Sequence, residues 1–280
     1  MPPPRTAMST ITNNPSPASR EREGPSPQGW EGEGLSDADS PSAASLRPAP
    51  SPALRERGLY RLLAWLSPGF PVGAFGYSHG LEAAVESGAV QDRFGLEGWI
   101  AAVVARGGGR IDADILRDAH RAATAADFGA LLDANRRGIA HRATAEMALE
   151  ASAQGNAFLA TCRAAWPDTF LDRWAAALGE EPACYAAAFG AAAASAAIPL
   201  AEALAGYLQA MAANLISAGL RLGIVGQTDG QRVLAALEPV VAAAAAGAAT
   251  RGAAEFGGAA FAVDLASMAH ETQYTRLFRS

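Results

Sequence analysis

The stretch Ser67–Glu82, SPGFPVGAFGYSHGLE, constrains this chain more than any other. Two prolines and four glycines are interleaved there with Phe70, Val72, Phe75, Tyr77 and Leu81. That density of breakers excludes a helix. A solvated linker, in turn, would not carry so many large apolar groups. The combination predicts an ordered, partly buried loop wedged between helices. Leu59, Leu62, Leu63 and Leu66 give a helical pattern before it, and Leu81–Glu86 another after it.

Within the loop, Gly76–Gly80 spells the G-x-S-x-G nucleophile elbow. An elbow needs a preceding strand and a large, mainly parallel sheet beneath it. The rest of the chain offers little to build one. It has ten Val and eight Ile in 280 residues, and after about residue 54 alanine and leucine dominate. This predicts an all-α fold, a single multi-helix bundle domain over residues 54–280 with one sizeable core. Residues 1–53 are rich in Pro, Ser and Gly and poor in apolar groups. They cannot bury enough surface to offset their ordering entropy, so they read as a disordered extension. They contain no apolar signal core and no twin arginine, and so are not read as a secretory signal. They read as a non-native extension or an upstream start, with Met8 as another candidate start.

Charge narrows the function. The net charge of −6 argues against non-specific nucleic-acid binding. All 22 basic residues are arginine. The lack of lysine excludes a Walker A phosphate loop, a pyridoxal Schiff base and any catalytic lysine, so nucleotide chemistry would belong to a partner. Cys162 and Cys184 lack metal-site spacing and read as buried, reduced, cytosolic thiols. Ala183–Ala201 carries no charge, but it is mostly alanine and is interrupted by Gly190, Ser195 and Pro199. It reads as buried helices of a soluble protein, not a membrane span.

Helices are expected over about 54–66, 78–87 closed by Gly88, and 93–106 capped by Asp92, with a turn at Gly107–Gly109. Others follow over 111–125, 128–137, 144–166 capped by Thr144, 170–178, an alanine-rich segment from Pro182, 200–222, 231–246 capped by Thr228 or Asp229, and a short one from Phe261. Asp112, Asp114, Arg117, Asp118 and Arg121 are expected to face water. Gly155, in mid-helix, predicts a close helix crossing. Leu204, Leu208, Met211, Leu215 and Leu222 are the expected bundle centre.

A serine-hydrolase reading takes Ser78 as nucleophile with Asp264 and His270 as later partners; the chain order fits and the missing strands oppose it. The four histidines, His79, His120, His141 and His270, form no HxH or HxxxH pair, so no intrinsic metal site is expected. His79 reads as a hydrogen-bonded loop residue and His270 as a surface or interface residue. In the tail, Tyr274, Leu277 and Phe278 alternate with Arg276 and Arg279. Large apolar groups at a chain end either dock back on their own domain or insert into a partner.

Four stretches together identify a resemblance: Leu62–Glu82, Thr144–Leu159 (TAEMALEASAQGNAFL), Asn214–Leu237 (NLISAGLRLGIVGQTDGQRVLAAL) and Met268–Ser280 (MAHETQYTRLFRS). The chain resembles the urease accessory protein F family (UreF). The resemblance implies an all-α, non-enzymatic, cytosolic, homodimeric scaffold. It would hold the D-type (also H-type) accessory protein on one side and the nickel-binding GTPase, accessory protein G, on the other, and serve nickel insertion into the urease apoprotein. It implies no intrinsic cofactor, since the complex handles the nickel. Carried over by position, Phe75, Tyr77, His79 and Arg276 belong to the GTPase side. His270, Glu271, Gln273, Tyr274, Leu277, Phe278 and Arg279 belong to a tail that orders on the D-type partner. Arg276 and Arg279 would pair with acidic groups of the GTPase, and an arginine finger acting on that GTPase is the alternative within the family. Ala269 and Ala145 depart from a pattern that often has arginine at both places, which weakens any ion pair expected from those sites.

Overall fold

With few β-branched residues and abundant alanine, the backbone satisfies its hydrogen bonds within helices. The computed structural model describes residues 52–280. The expected disordered extension lies outside the described residues, except for Pro52 and Ala53, which open the first helix. The elements are α1 (Pro52–Trp65), α2 (Leu81–Glu86), α3 (Arg93–Arg106), α4 (Gly108–Thr124), α5 (Phe128–Ala140), α6 (Ala145–Ala165), α7 (Thr169–Leu178), α8 (Tyr185–Ser195), α9 (Leu200–Arg221), α10 (Gln227–Thr250) and α11 (Phe261–Glu271). No strand occurs among the described residues, so the fold is all-α as expected.

Local chemistry sets the boundaries. Asp92 accepts from Gly95 N at 2.9 Å and Thr144 from Met147 N at 3.2 Å, the two caps read from the sequence. The alanine-rich helix begins at Tyr185, not Pro182, with Cys184 at its cap position, and three more boundaries differ from expectation. Helix α2 starts at Leu81, not Ser78, because His79 and Gly80 both have positive φ, 51° and 72°. The triple glycine is not a free turn: Gly107 breaks the chain and α4 begins at Gly108. Helix α10 begins at Gln227 with Gly226 as its cap, which places Asp229 inside the first turn, where a carboxylate complements the helix dipole.

Helix α8 sits at the centre, packed on α4 and α6. Ala186 through Ala193 are all buried. Small side chains let the backbones approach: a Cβ at Gly155 would lie 2.0 Å from the Ala183 carbonyl oxygen, which confirms the expected close crossing. Leu204, Leu208 and Leu215 are fully buried, while Met211 and Leu222 are only partly so. Around them Trp65, Phe70, Phe158, Tyr185, Phe189 and Tyr207 form one aromatic cluster. The uncharged Ala183–Ala201 stretch is broken into the 11-residue α8 and the first residues of α9, with no single long helix. Helices α9 and α10 are long and apolar enough to cross a membrane by length and composition alone. They pack instead on each other, on α3 and on α4.

The expectation that five charged residues of α4 face water holds for Arg121, which is exposed, and in part for Asp118, which is half-buried, and is overturned for the other three. Asp112, Asp114 and Arg117 are buried, because α3, α5, α8, α9 and α10 surround α4. Their charges are paired internally. Arg142 donates to Asp112 at 2.6 Å, and the Tyr207 hydroxyl donates to the same carboxylate at 3.0 Å. Arg117 bonds Asp118 at 2.7 Å and Asp114 at 3.1 Å. It also donates to the Ala248 and Arg251 carbonyls, which closes the end of α10.

Candidate functional site

Helix α11 leads the tail back over the Gly/Pro loop. The turn before α2 permits this because Gly80 holds φ 72° and its missing Cβ would stand 2.7 Å from Ser267 N. Any side chain there would be strained and would push α11 away. Ser267 is buried and its hydroxyl lies 2.9 Å from that of Thr144, so α2, α6 and α11 converge at this point.

Residues 272–280 then run along the loop, held mainly through backbone groups. Arg279 N donates to the Gly76 carbonyl at 2.7 Å, and Ser78 donates to the Ser280 carbonyl from its main-chain N at 2.9 Å and from its hydroxyl. The Glu82 carboxylate accepts two successive tail amides, Leu277 N at 2.6 Å and Phe278 N at 2.9 Å. Phe278 is buried, with the Arg221 guanidinium 4.3 Å from its ring centroid. Arg221 also donates to the Phe75 carbonyl at 2.5 Å, and Asn214 to that of Ala74 at 2.9 Å. Loop and tail are therefore one joined structure, tied down by α9.

Three glutamates organise the charges. His270, expected as a surface or interface residue, is fully buried within the chain. Its Nε2 lies 3.0 Å from Glu82 and its Nδ1 2.7 Å from Glu146. Arg276 bonds the other oxygen of Glu146 at 2.5 Å. Glu271 accepts from Ala145 N at 2.9 Å, at the start of α6. One turn further along α6, Glu150 meets His79 Nε2 at 3.1 Å, Gln154 Nε2 at 2.8 Å and the Ser280 hydroxyl at 3.2 Å. Burial works against a charged His79 ring, but the charge and hydrogen bond of Glu150 outweigh it and hold the ring's pKa above its ordinary value.

What stays on the outside is selective. Tyr274 is fully exposed, Phe75 is 71% and Leu277 60% exposed, and Arg276 and Arg279 reach solvent. Tyr77 and His79 lie beneath, buried. Gln273 is half-buried and donates to the Thr275 carbonyl at 3.1 Å. Under the loop lies a cavity of about 1070 Å³ whose walls include Phe70, Asp112, Glu150 and Tyr207. His79 Nδ1, at its edge, has no hydrogen-bond partner.

The hydrolase triad does not assemble. Ser78 Oγ donates to the Ser280 carbonyl, and both His270 nitrogens are held by glutamates. A 3-10 turn, Ala74–Gly76, precedes the serine where an elbow would have a strand. Among the described residues no three His, Cys, Asp or Glu side chains are grouped to hold a metal ion; Glu82 and Glu146 take opposite nitrogens of one ring and do not converge on a common point. Sequence reasoning missed the organising role of Glu82, Glu146 and Glu150. A signal was present: Glu146, Glu150 and Gln154 recur at four-residue spacing along one side of α6.

The chain as a whole is similar to known proteins. The family model for UreF matches residues 90–238. The urease accessory protein UreF of Rhodopseudomonas palustris strain BisB18 is 48% identical over 228 residues, 81% of this chain and 94% of that protein. That of Granulibacter bethesdensis is 48% identical over 234 residues, covering 83% and 98%. That of Azorhizobium caulinodans is 48% identical over 219 residues, covering 78% and 94%.

Proposed function

The chain belongs to the UreF family of urease accessory proteins and so serves urease maturation; on that premise we propose that it works as a scaffold without covalent chemistry of its own. In the cytosol it holds the D/H-type accessory protein and the nickel-binding GTPase together, modulates the GTPase, and so promotes nickel insertion into the urease apoprotein. Nickel is cargo of the complex and no cofactor is resident in this chain. The protein acts as a homodimer, for which the exposed Leu59, Tyr60 and Leu63 of α1 offer apolar surface.

One observation carries this reading: the tail and the Gly/Pro loop are joined through Arg221, Glu82 and Ser78, and they expose Tyr274, Leu277 and Phe75. Exposed aromatic and large apolar groups on an anchored backbone are what interface hot spots require. The D/H-type partner takes the Tyr274 and Leu277 face, with Arg279 beside it. The GTPase takes the Phe75 side, which Tyr77 and His79 support from beneath. Arg276 is already paired with Glu146 and keeps its free donors for an acidic group of the GTPase. The test is co-purification with both accessory partners. Phe75→Ala and Arg276→Ala should weaken capture of the GTPase and lower urease activation. Full capture and full activation by both variants would overturn the assignment.

A further inference from the structure

His270 sits between two carboxylates in a fully buried position, and a neutral imidazole cannot satisfy both of them while both are ionised. A neutral ring has one N–H and one lone pair. With Glu146 at 2.7 Å on Nδ1 and Glu82 at 3.0 Å on Nε2, one carboxylate oxygen would face a lone pair without a proton between them. Glu82 faces the ring from α2, Glu146 from α6, and the tail's Arg276 meets the far side of Glu146. Among the described residues no charged group of α3 comes within bonding distance of this ring.

We infer that His270 is a positioning residue that acts as a one-proton latch: as imidazolium it donates to both glutamates and fixes the Glu82 carboxylate that seats the tail. Glu82 is the link to function. The oxygen that meets His270 also accepts Phe278 N, and its other oxygen accepts Leu277 N. With the doubly protonated ring, two carboxylates are balanced by one imidazolium and one guanidinium. Loss of the proton leaves a buried excess negative charge and an unmatched oxygen, so the carboxylate is freed to turn and the tail amides lose their acceptor. That the seat displays Tyr274 and Leu277 to a partner rests on the proposed function; the latch itself does not, and it is measurable on the chain alone.

The direct observation is the imidazole nitrogen spectrum of the full-length protein, labelled with nitrogen-15, with tail amide exchange measured in parallel. Both His270 nitrogens are expected to give protonated-ring signals, with Leu277 and Phe278 amides protected. In His270→Gln that protection should fall by about tenfold or more, the scale of one charge-assisted hydrogen bond. Amides of α9 should keep theirs, which separates the latch from global unfolding. A neutral-ring signal while the tail is protected would overturn the inference, as would unchanged tail protection in His270→Gln. If the glutamine variant does not fold, the wild-type nitrogen spectrum still decides.

Discussion

The α6–α8–α4 crossing and the tail seat are both buried, yet they are held in different ways. At the crossing, absence does the positioning. Gly155 and Gly190 remove the side chains that would keep backbones apart, and a Cβ at Gly190 would stand 2.5 Å from the Leu116 carbonyl oxygen. In the seat, the backbone of the tail has no helix or sheet of its own and takes its partners from carboxylates and loop carbonyls. Close packing gives a rigid frame that fails as a whole. A segment held by a few polar contacts can open locally without unfolding the frame. A protein that must present a surface and release it benefits from having both.

The largest effect expected from breaking the frame is that of Arg117→Met. It leaves the buried Asp114 with only part of its charge balanced and removes donors from two carbonyls at the end of α10. The expected loss is about 4 kcal/mol in urea unfolding; a loss below about 1 kcal/mol would show that the buried charges are not coupled to the frame. Burial alone would raise the Asp118 carboxyl, but hydrogen bonds from Arg117 and Arg137 outweigh it and hold its pKa below the ordinary value. Its contribution is therefore present above the ordinary aspartate range near about 4 and lost as pH falls through the lowered value. In Arg117→Met the Asp118 titration, followed by NMR, should move upward.

Next comes Gly155→Ala. The added methyl meets a backbone carbonyl, not a flexible side chain, and should cost about 3 kcal/mol. A neutral result would mean that α6 and the start of α8 part easily. Glu82→Gln comes third and acts on the other region. It should release the Leu277 and Phe278 amides by about 2 kcal/mol of local protection while global stability changes by less than about 1 kcal/mol. Equal losses in both would erase the distinction between frame and seat. Tyr274→Ala is the smallest: with the ring fully exposed, stability should stay within about 0.5 kcal/mol of the parent by thermal unfolding.

The frame was largely legible in the sequence. Helical periodicity, the caps Asp92 and Thr144, and a glycine inside an apolar helix each act over a few residues, so a local reading finds them. The errors come from long-range burial. Asp112, Asp114 and Arg117 look like a wet face because nothing local says that five helices will cover α4. The aromatic and arginine residues of the tail were legible as a docking segment, since such groups rarely sit idle at a chain end. Their partners were not. Glu82 and His270 are 188 residues apart, and no periodicity links them; only the fold brings both carboxylates to one ring.

The central claim is that an anchored tail, not a catalytic residue, is the working surface. It is tested most directly by the affinity of the purified D/H-type accessory protein for the wild-type chain and for the double variant Tyr274→Ala/Leu277→Ala, with tail exchange measured alongside. The variant should keep the parent's unfolding midpoint and the protected Phe278 amide, and lose on the order of tenfold or more in affinity. Unchanged affinity with the tail still seated would contradict the account.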